Sequence, residues 1–522
     1  MVVSATRGAA AILTVAQGIL SAHYFGTSYQ KDALLVAQTI PSMVSTFLIG
    51  GVYSTLLVNL ADIGRGEGAR GQRVFARRIL GRLALVLLPL VALVLLAPAW
   101  LVGLVAPGFS GEKVALTASL LRLTVFGAVG VLFMAAVRCI FQVRGHFVAP
   151  ALVSLANPLA CLVILVALVG GIGIYTLAVG PLVGLTLSLL LLVSLIPRYI
   201  TDPAGFVGRP ADPEDTNRRV RSFWLAFLPM SIGANFGQIN MTVDNAFASV
   251  LPTGSITMLG FAFVIVSNAQ LLTTSTFAEV SFSRLAANAG ASTVDLKALF
   301  RSQMRHMLLL TAPLSIGAVV FATPLIRLLF ERGAFTPEAT VGVASALRAY
   351  APGMFFMGYL TLFSILLLSQ RRFARISTTA GAIILINAIL DFLLVKALGL
   401  TGIALGTSLT ILVHASLLVR PVRWVLGSIR GPGDAGYILR VMTSAVLMGG
   451  IVLGFSAGFE RLFSTASQGA RIVEVTMGLG MAAATYLATL HLLRVQEAEV
   501  LMQRLAGPVS RYLRRSGPMA QA

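Results

Sequence analysis

Positive charge in this chain returns in every second gap between apolar stretches. About fourteen segments are apolar and long enough to cross a bilayer, for which roughly 20 residues suffice. Of the 39 Lys and Arg residues, 30 fall at the N-terminus, in the even-numbered gaps and in the C-terminal tail, and 7 in the odd-numbered gaps. The remaining two, Arg122 and Arg348, lie inside expected helices. Lys and Arg are held back on the cytoplasmic side, so the alternation sets helix number and direction together. It describes an all-α polytopic protein of the bacterial inner membrane with both ends in the cytoplasm. A soluble domain is excluded, because 57% of residues are hydrophobic and only 11% are charged. The net charge of +20 sits in short loops. There it serves topology and contact with anionic membrane lipid, with no basic–aromatic patch to suggest nucleic acid. Cys139 and Cys161 form no metal or disulfide pattern and read as packing residues.

The expected helices span 8–25, 33–59, 83–106, 117–138, 147–170, 174–196, 222–250, 256–283, 306–330, 343–369, 377–397, 401–425, 441–462 and 471–494. The gap at 198–221, with Arg209 at its centre, is the longest polar stretch and the natural linker between halves. The chain therefore divides into an N-lobe at 1–215, a C-lobe at 216–426, two further helices at 427–494 and a cytoplasmic tail at 495–522. The lobes resemble each other. Ala118-Ser119-Leu120-Leu121-Arg122 matches Ala344-Ser345-Ala346-Leu347-Arg348, each preceded by a Gly/Phe turn at 108–109 and 333–335. Asn157 and Asn387 then occupy similar places in the fifth and eleventh helices. A weak repeat of about six helices is the expected sign of a transporter made of two pseudo-symmetric bundles, with two extra C-terminal helices appended.

Polar residues inside the membrane ask for a reason, since a charge at the bilayer centre costs roughly 2.5–3.5 kcal/mol or more. Asp244 lies in the seventh helix and Asp391 in the eleventh. Asn387 precedes Asp391 by one helical turn, on the same face. Thr407 follows in the twelfth helix. Two carboxylates, an amide and a hydroxyl suit either an oxygen cage for a hard monovalent cation or a proton relay. Unrelated polar residues paired with backbone or water are the plain alternative. Arg122 and Arg348, near the outer ends of their helices, are candidates for an anionic headgroup or else snorkel to the interface. Glu279 is expected to pair with a loop arginine. No nucleotide-binding motif and no catalytic nucleophile motif is present, so neither ATP-driven transport nor an enzyme is expected.

Several short motifs now carry a resemblance. Phe25-Gly26, Asp32-Ala33 and Ile40-Pro41 resemble the start of the MurJ (MviN) lipid II flippases of the MOP exporter superfamily. Ala106-Pro107-Gly108-Phe109, Arg144-Gly145-His146-Phe147 with Pro150-Ala151, and Gln238-Ile239 with Phe247-Ala248-Ser249 and Gly254-Ser255 are similar to that family in order and spacing. So are Leu328-Leu329-Phe330, Gly333 and Phe335-Thr336. The resemblance covers about residues 10–425. It implies alternating-access transport of a lipid-linked glycan, the peptidoglycan precursor lipid II, with no cofactor beyond a coupling Na+ or H+. It also implies a sodium site made by Asp244, Asn387, Asp391, the carbonyl of Ile403 and Thr407, and a substrate-side role for Asp32, with Arg122 and Arg348 as weaker headgroup contacts.

One part of the pattern is missing. The family carries arginines along its N-lobe cavity, where this chain has Ala11, Gln17, Ser45 and Val264, with Gly18 in place of an acidic residue. A pyrophosphate-linked lipid needs cationic partners. Two other functions therefore stand beside a lipid II flippase: an exporter of another oligosaccharide-lipid, polysaccharide or amphipathic substrate, and a transport-inactive scaffold of envelope synthesis.

Overall fold

The computed structural model describes residues 2–199, 213–275, 277, 278, 281, 285, 293–370, 372–429, 431, 433–463 and 467–499. Arg209 with the centre of the linker, Glu279, and the tail from 500 onward lie outside the described residues. Long apolar runs become helices because only a helix satisfies every backbone N–H and C=O within its own segment in lipid. Among the described residues there is no strand.

The chain forms two compact units, Met1–Gly260 with Phe330–Ala339, and Phe261–Leu329 with Thr340–Ala522. The first unit contains α1 (Val2–Phe25), α2 (Tyr29–Gly66), α3 (Gly68–Leu96), α4 (Pro98–Val105), α5 (Glu112–Val143), α6 (Val148–Val153), α7 (Ala156–Ile172), α8 (Thr176–Ser194), α9 (Ile196–Tyr199) and α10 (Pro213–Ala248). Helix α11 (Ser255–Gln270) starts in it. The second unit contains α12 (Thr293–Val320), α13 (Ala322–Leu329), most of α14 (Pro337–Ser369), α15 (Phe373–Leu398), α16 (Leu400–Leu426), α17 (Asp434–Leu462) and α18 (Gln468–Leu492).

The boundary between units is not at the 198–221 linker. Helix α10 packs on α2 and belongs with the first unit. The reason is steric. Gly51 on α2 leaves room for the Phe227 ring and the Ser231 hydroxyl of α10, which any side chain there would strike. Phe223 and Phe227 then stack at 5.6 Å and join Phe75 and Phe141 in the unit's apolar core.

By length and composition, ten helices among the described residues can cross a membrane, or eleven if Val294–Val320 and Ala322–Leu329, bent by 71°, form one broken span. The sequence leads to fourteen. Part of the difference is that Val148–Arg198, one of the ten, is a hairpin. Gly173, at φ +54°, turns the chain back. Gly184 then meets Asn157, and Gly180 meets Cys161, so α7 and α8 run antiparallel in close contact. Small residues permit that approach in a membrane helix pair. Helix α10 covers most of the expected span at 222–250, and α11 the first part of the one at 256–283; neither is among the ten.

The two extra helices pack on α12 in the second unit. Val441, Ala445 and Met448 of α17 and Ala482 and Tyr486 of α18 form one cluster with Leu308, Leu309 and Ala312. The Tyr486 hydroxyl donates to the Leu309 carbonyl at 3.0 Å, and Tyr437 to that of Arg305 at 2.9 Å. Each phenol thus buries its ring and keeps a partner for its hydroxyl.

Candidate functional site

The motifs singled out in the sequence converge on one turn region of the first unit. Asp32, in the first turn of α2, is 2% exposed. Its Oδ2 accepts from the Gly254 N–H at 2.6 Å. Its Oδ1 accepts from the Thr257 N–H at 2.9 Å and the Thr257 hydroxyl at 2.7 Å. The carboxylate so caps the start of α11, where unpaired N–H groups and the positive end of the helix dipole favour an anion. In this conformation Asp32 holds the α10–α11 turn, and its oxygens are taken up by three donors. Three glycines close the same region: Gly26, Gly254 and Gly333, all at positive φ. A Cβ at Gly26 would strike the Ala334 carbonyl, and one at Gly254 would stand 2.5 Å from that of Thr27. The Ala334 N–H donates to the His23 carbonyl at 2.8 Å. The sequence marks these residues as motif; packing shows that they form a clasp.

Arg122 and Arg348 are placed alike in their two units. Arg122 Nε donates to the Leu95 carbonyl in the last turn of α3, at 3.3 Å. Arg348 Nε donates to the Val319 carbonyl in the last turn of α12, at 3.4 Å, and its Nη2 to the Thr323 hydroxyl at 2.8 Å. A cation at a helix C-terminus meets unpaired carbonyls and the negative end of the dipole. The repeat serines behave alike too. Ser119 bonds the Tyr175 hydroxyl at 2.8 Å, and Thr401 donates to Ser345 at 3.2 Å, with partners 56 residues apart in both units. Gly173 and Gly399 turn the chain with nearly equal angles, φ +54° and +56°. Carried along the chain, this register pairs Cys161 with Asn387, Leu165 with Asp391, Leu177 with Ile403 and Pro181 with Thr407. The expected match of Asn157 with Asn387 is therefore displaced by one helical turn.

In the second unit the structure brings four of the five expected cation ligands onto the adjacent helices α15 and α16. Asn387 and Asp391 are both 0% exposed, and the Asn387 amide donates to Asp391 Oδ2 at 3.0 Å. Gly406 of α16 lies against Asp391, where a Cβ would stand 2.5 Å from Oδ1. The Thr407 hydroxyl donates to the Ile403 carbonyl at 3.1 Å. Asp244, 8% exposed on α10, belongs to the first unit. The donors on α15 and α16 are a carboxylate, an amide oxygen, a carbonyl and a hydroxyl. All are hard oxygen donors, and such a set fits a hard cation. Among the described residues there is no cluster of three His, Cys, Asp or Glu.

The first unit holds a pocket of about 430 Å³ among α2, α5, α7, α8 and α10, with Pro181, the counterpart of Thr407, in its wall. Its polar lining is uncharged: Gln38, Ser42, Ser45, Thr46, Thr124, Asn157 and Gln238. Ser45, where the family resemblance leads one to expect an arginine, is one of them. Among the described residues, none of Gln38, Ser42, Ser45 and Thr46 has a hydrogen bond from its side chain. Sequence reading missed this pocket, because only the α2–α5 packing aligns its residues.

Residues 21–474 match the family model described as lipid II flippase MurJ. The chain is 25% identical over 497 residues to the probable lipid II flippase MurJ of Thermotoga maritima, covering 94% of this chain and 96% of that one. It is 27% identical to the one from Helicobacter pylori strain 26695, covering 60% of this chain and 72% of that one. The fold is similar to a solved lipid II flippase MurJ in an inward closed conformation, with TM-score 0.76 and 23% identity over 94% of this chain and 99% of that one. An inward-facing MATE multidrug transporter of the MOP superfamily is similar at TM-score 0.66 and 15% identity, covering 80% of this chain and 95% of that one.

Proposed function

Because the chain belongs to the lipid II flippase MurJ family, we propose that it moves a lipid-linked cell-envelope precursor, nominally lipid II, between leaflets of the bacterial inner membrane. The observation that carries this reading is the family match across residues 21–474, which spans both repeats rather than one motif. The cargo is amphipathic, and two pseudo-symmetric units that change their mutual arrangement would expose its headgroup first to one side and then to the other. The alternation of Lys and Arg along the chain supports a cytoplasmic location for both ends. No residue is assigned a bond-making role.

A coupling cation would be held by Asp391, Asn387, Thr407 and the Ile403 carbonyl. When bound, it supplies positive charge that compensates the buried carboxylate. It biases the transport cycle only by binding one conformation more tightly than another. Asn387 orients the Asp391 carboxylate by its hydrogen bond. Gly406 admits that carboxylate against α16.

The test is complementation. A cell depleted of its own lipid II flippase should regain growth when this chain is expressed and located in the membrane. Failure to rescue with confirmed expression would sink the lipid II assignment. One observation favours a second reading: the uncharged pocket at Ser45 suits a cargo with a different headgroup. Mass spectrometry of lipid copurified with the protein separates the two.

A further inference from the structure

Arg138 falls at the edge of a loop by hydropathy, but it lies inside α5, which continues to Val143. Its Nε is buried and has no hydrogen-bond partner, and no carboxylate pairs with it among the described residues. The Tyr53 hydroxyl of α2 is within electrostatic range of it and donates to Gln142, one turn further along α5. These three residues continue the strip that lines the uncharged pocket. Val131 of α5 and Thr46 of α2 line that pocket, and Arg138 and Tyr53 each follow seven residues later. Seven residues make two helical turns, so each stays on the same face, about 10 Å along the axis. The other arginine in this stretch of α5, Arg122, donates to the Leu95 carbonyl.

A guanidinium left without an anion in a membrane helix is costly unless something else supplies the charge. The Gln38 amide and the Ser42, Ser45 and Thr46 hydroxyls, which bond no other protein group among the described residues, likewise offer donors and acceptors to the 430 Å³ pocket. We infer that this face of α2 and α5 is a two-part headgroup site: Arg138, with Tyr53 and Gln142, takes a phosphate, and the pocket from Gln38 to Thr46 takes the uncharged sugar next to it. The ligand class is a polyprenyl phosphate or pyrophosphate bearing a glycan. The inference rests on the flippase reading and deepens it by naming residues that meet the cargo. It also accounts for a phosphate-bearing cargo in a chain with Ser45 at the pocket, because the cation stands two turns further along.

The experiment uses the full chain in nanodiscs, with binding measured for lipid II, undecaprenyl pyrophosphate, undecaprenol and inorganic pyrophosphate. Arg138→Gln should weaken both phosphate-bearing lipids by roughly tenfold or more and leave undecaprenol unchanged. Arg138→Lys should recover part of the loss. Ser45→Leu, which fills the pocket, should weaken lipid II but not undecaprenyl pyrophosphate. Unchanged lipid binding by Arg138→Gln, at an unchanged melting temperature, overturns the inference while leaving the flippase reading standing. So does a loss shared equally by undecaprenol, which marks a structural role. Inorganic pyrophosphate competing as well as the lipids overturns the lipid-linked class. If the wild-type chain binds neither phosphate-bearing lipid, the flippase reading falls with it.

Discussion

The two units build the same frame and fill it differently. In each, an arginine anchors to the last turn of α3 or α12, a serine ties α5 or α14 to the next helical hairpin, and a glycine turns that hairpin. Inside the frame, the first unit has Cys161 and Leu165 where the second has Asn387 and Asp391. The first unit keeps an uncharged pocket beside Pro181; the second packs a carboxylate and an amide against Gly406. The duplicated scaffold thus carries different interior chemistry in its two copies: uncharged polar groups in one, a buried carboxylate and amide in the other. The frame is held by backbone carbonyls and turn geometry, so interior side chains can change without disturbing it.

The largest test imports the chemistry of one unit into the other. Asn387→Cys with Asp391→Leu should abolish any rise in melting temperature produced by sodium over potassium, while the chain still folds. Replacing a buried polar pair by apolar residues of similar shape is often tolerated. A sodium shift that survives the double substitution would remove the cation assignment, and the contrast between units with it.

A smaller effect is expected at the paired glycines. In Gly180→Ala the new methyl would stand 3.1 Å from Cys161 Cα, a backbone atom. This should cost roughly 1–3 kcal/mol, read as a lower melting temperature. In Gly406→Ala the methyl meets Asp391 Oδ1 instead. The carboxylate must move, so the sodium response should fall along with stability. If both variants lose stability alone, the two units do not differ at this position.

The smallest effect is expected at the shared frame. Arg122→Gln and Arg348→Gln should each cost less than about 1 kcal/mol, because both side chains are exposed and their bonds are long. Arg348→Gln should cost slightly more, since it also loses Thr323. Complementation should survive both. A variant that melts normally yet fails to complement would instead make that arginine a contact for the cargo.

Much of this was legible in the sequence. Helix positions and the repeat come from hydropathy and a shared pentapeptide, both local properties of the chain. Asn387 and Asp391 were readable as a pair because helical spacing alone brings them together. Asp32 was marked by its motif but not by its role. Its partners Gly254 and Thr257 lie more than 220 residues away in sequence, and no spacing rule links them. Arg138 was hidden for a different reason: five residues from the end of α5, it looks like one more arginine of a loop.

The sequence by itself determined that this is a membrane-spanning α-helical chain of two related halves, and which family it belongs to. Bilayer thickness and the cost of exposed backbone act on each segment separately, so composition is enough to decide them. Only the tertiary structure decided what the polar residues do. Asp32 closes a turn, Arg122 and Arg348 anchor helix ends, and α10 joins the first unit across the expected linker. Those outcomes depend on which donors and surfaces meet when helices pack, and small residues such as Gly51, Gly180 and Gly406 set that at single points of contact.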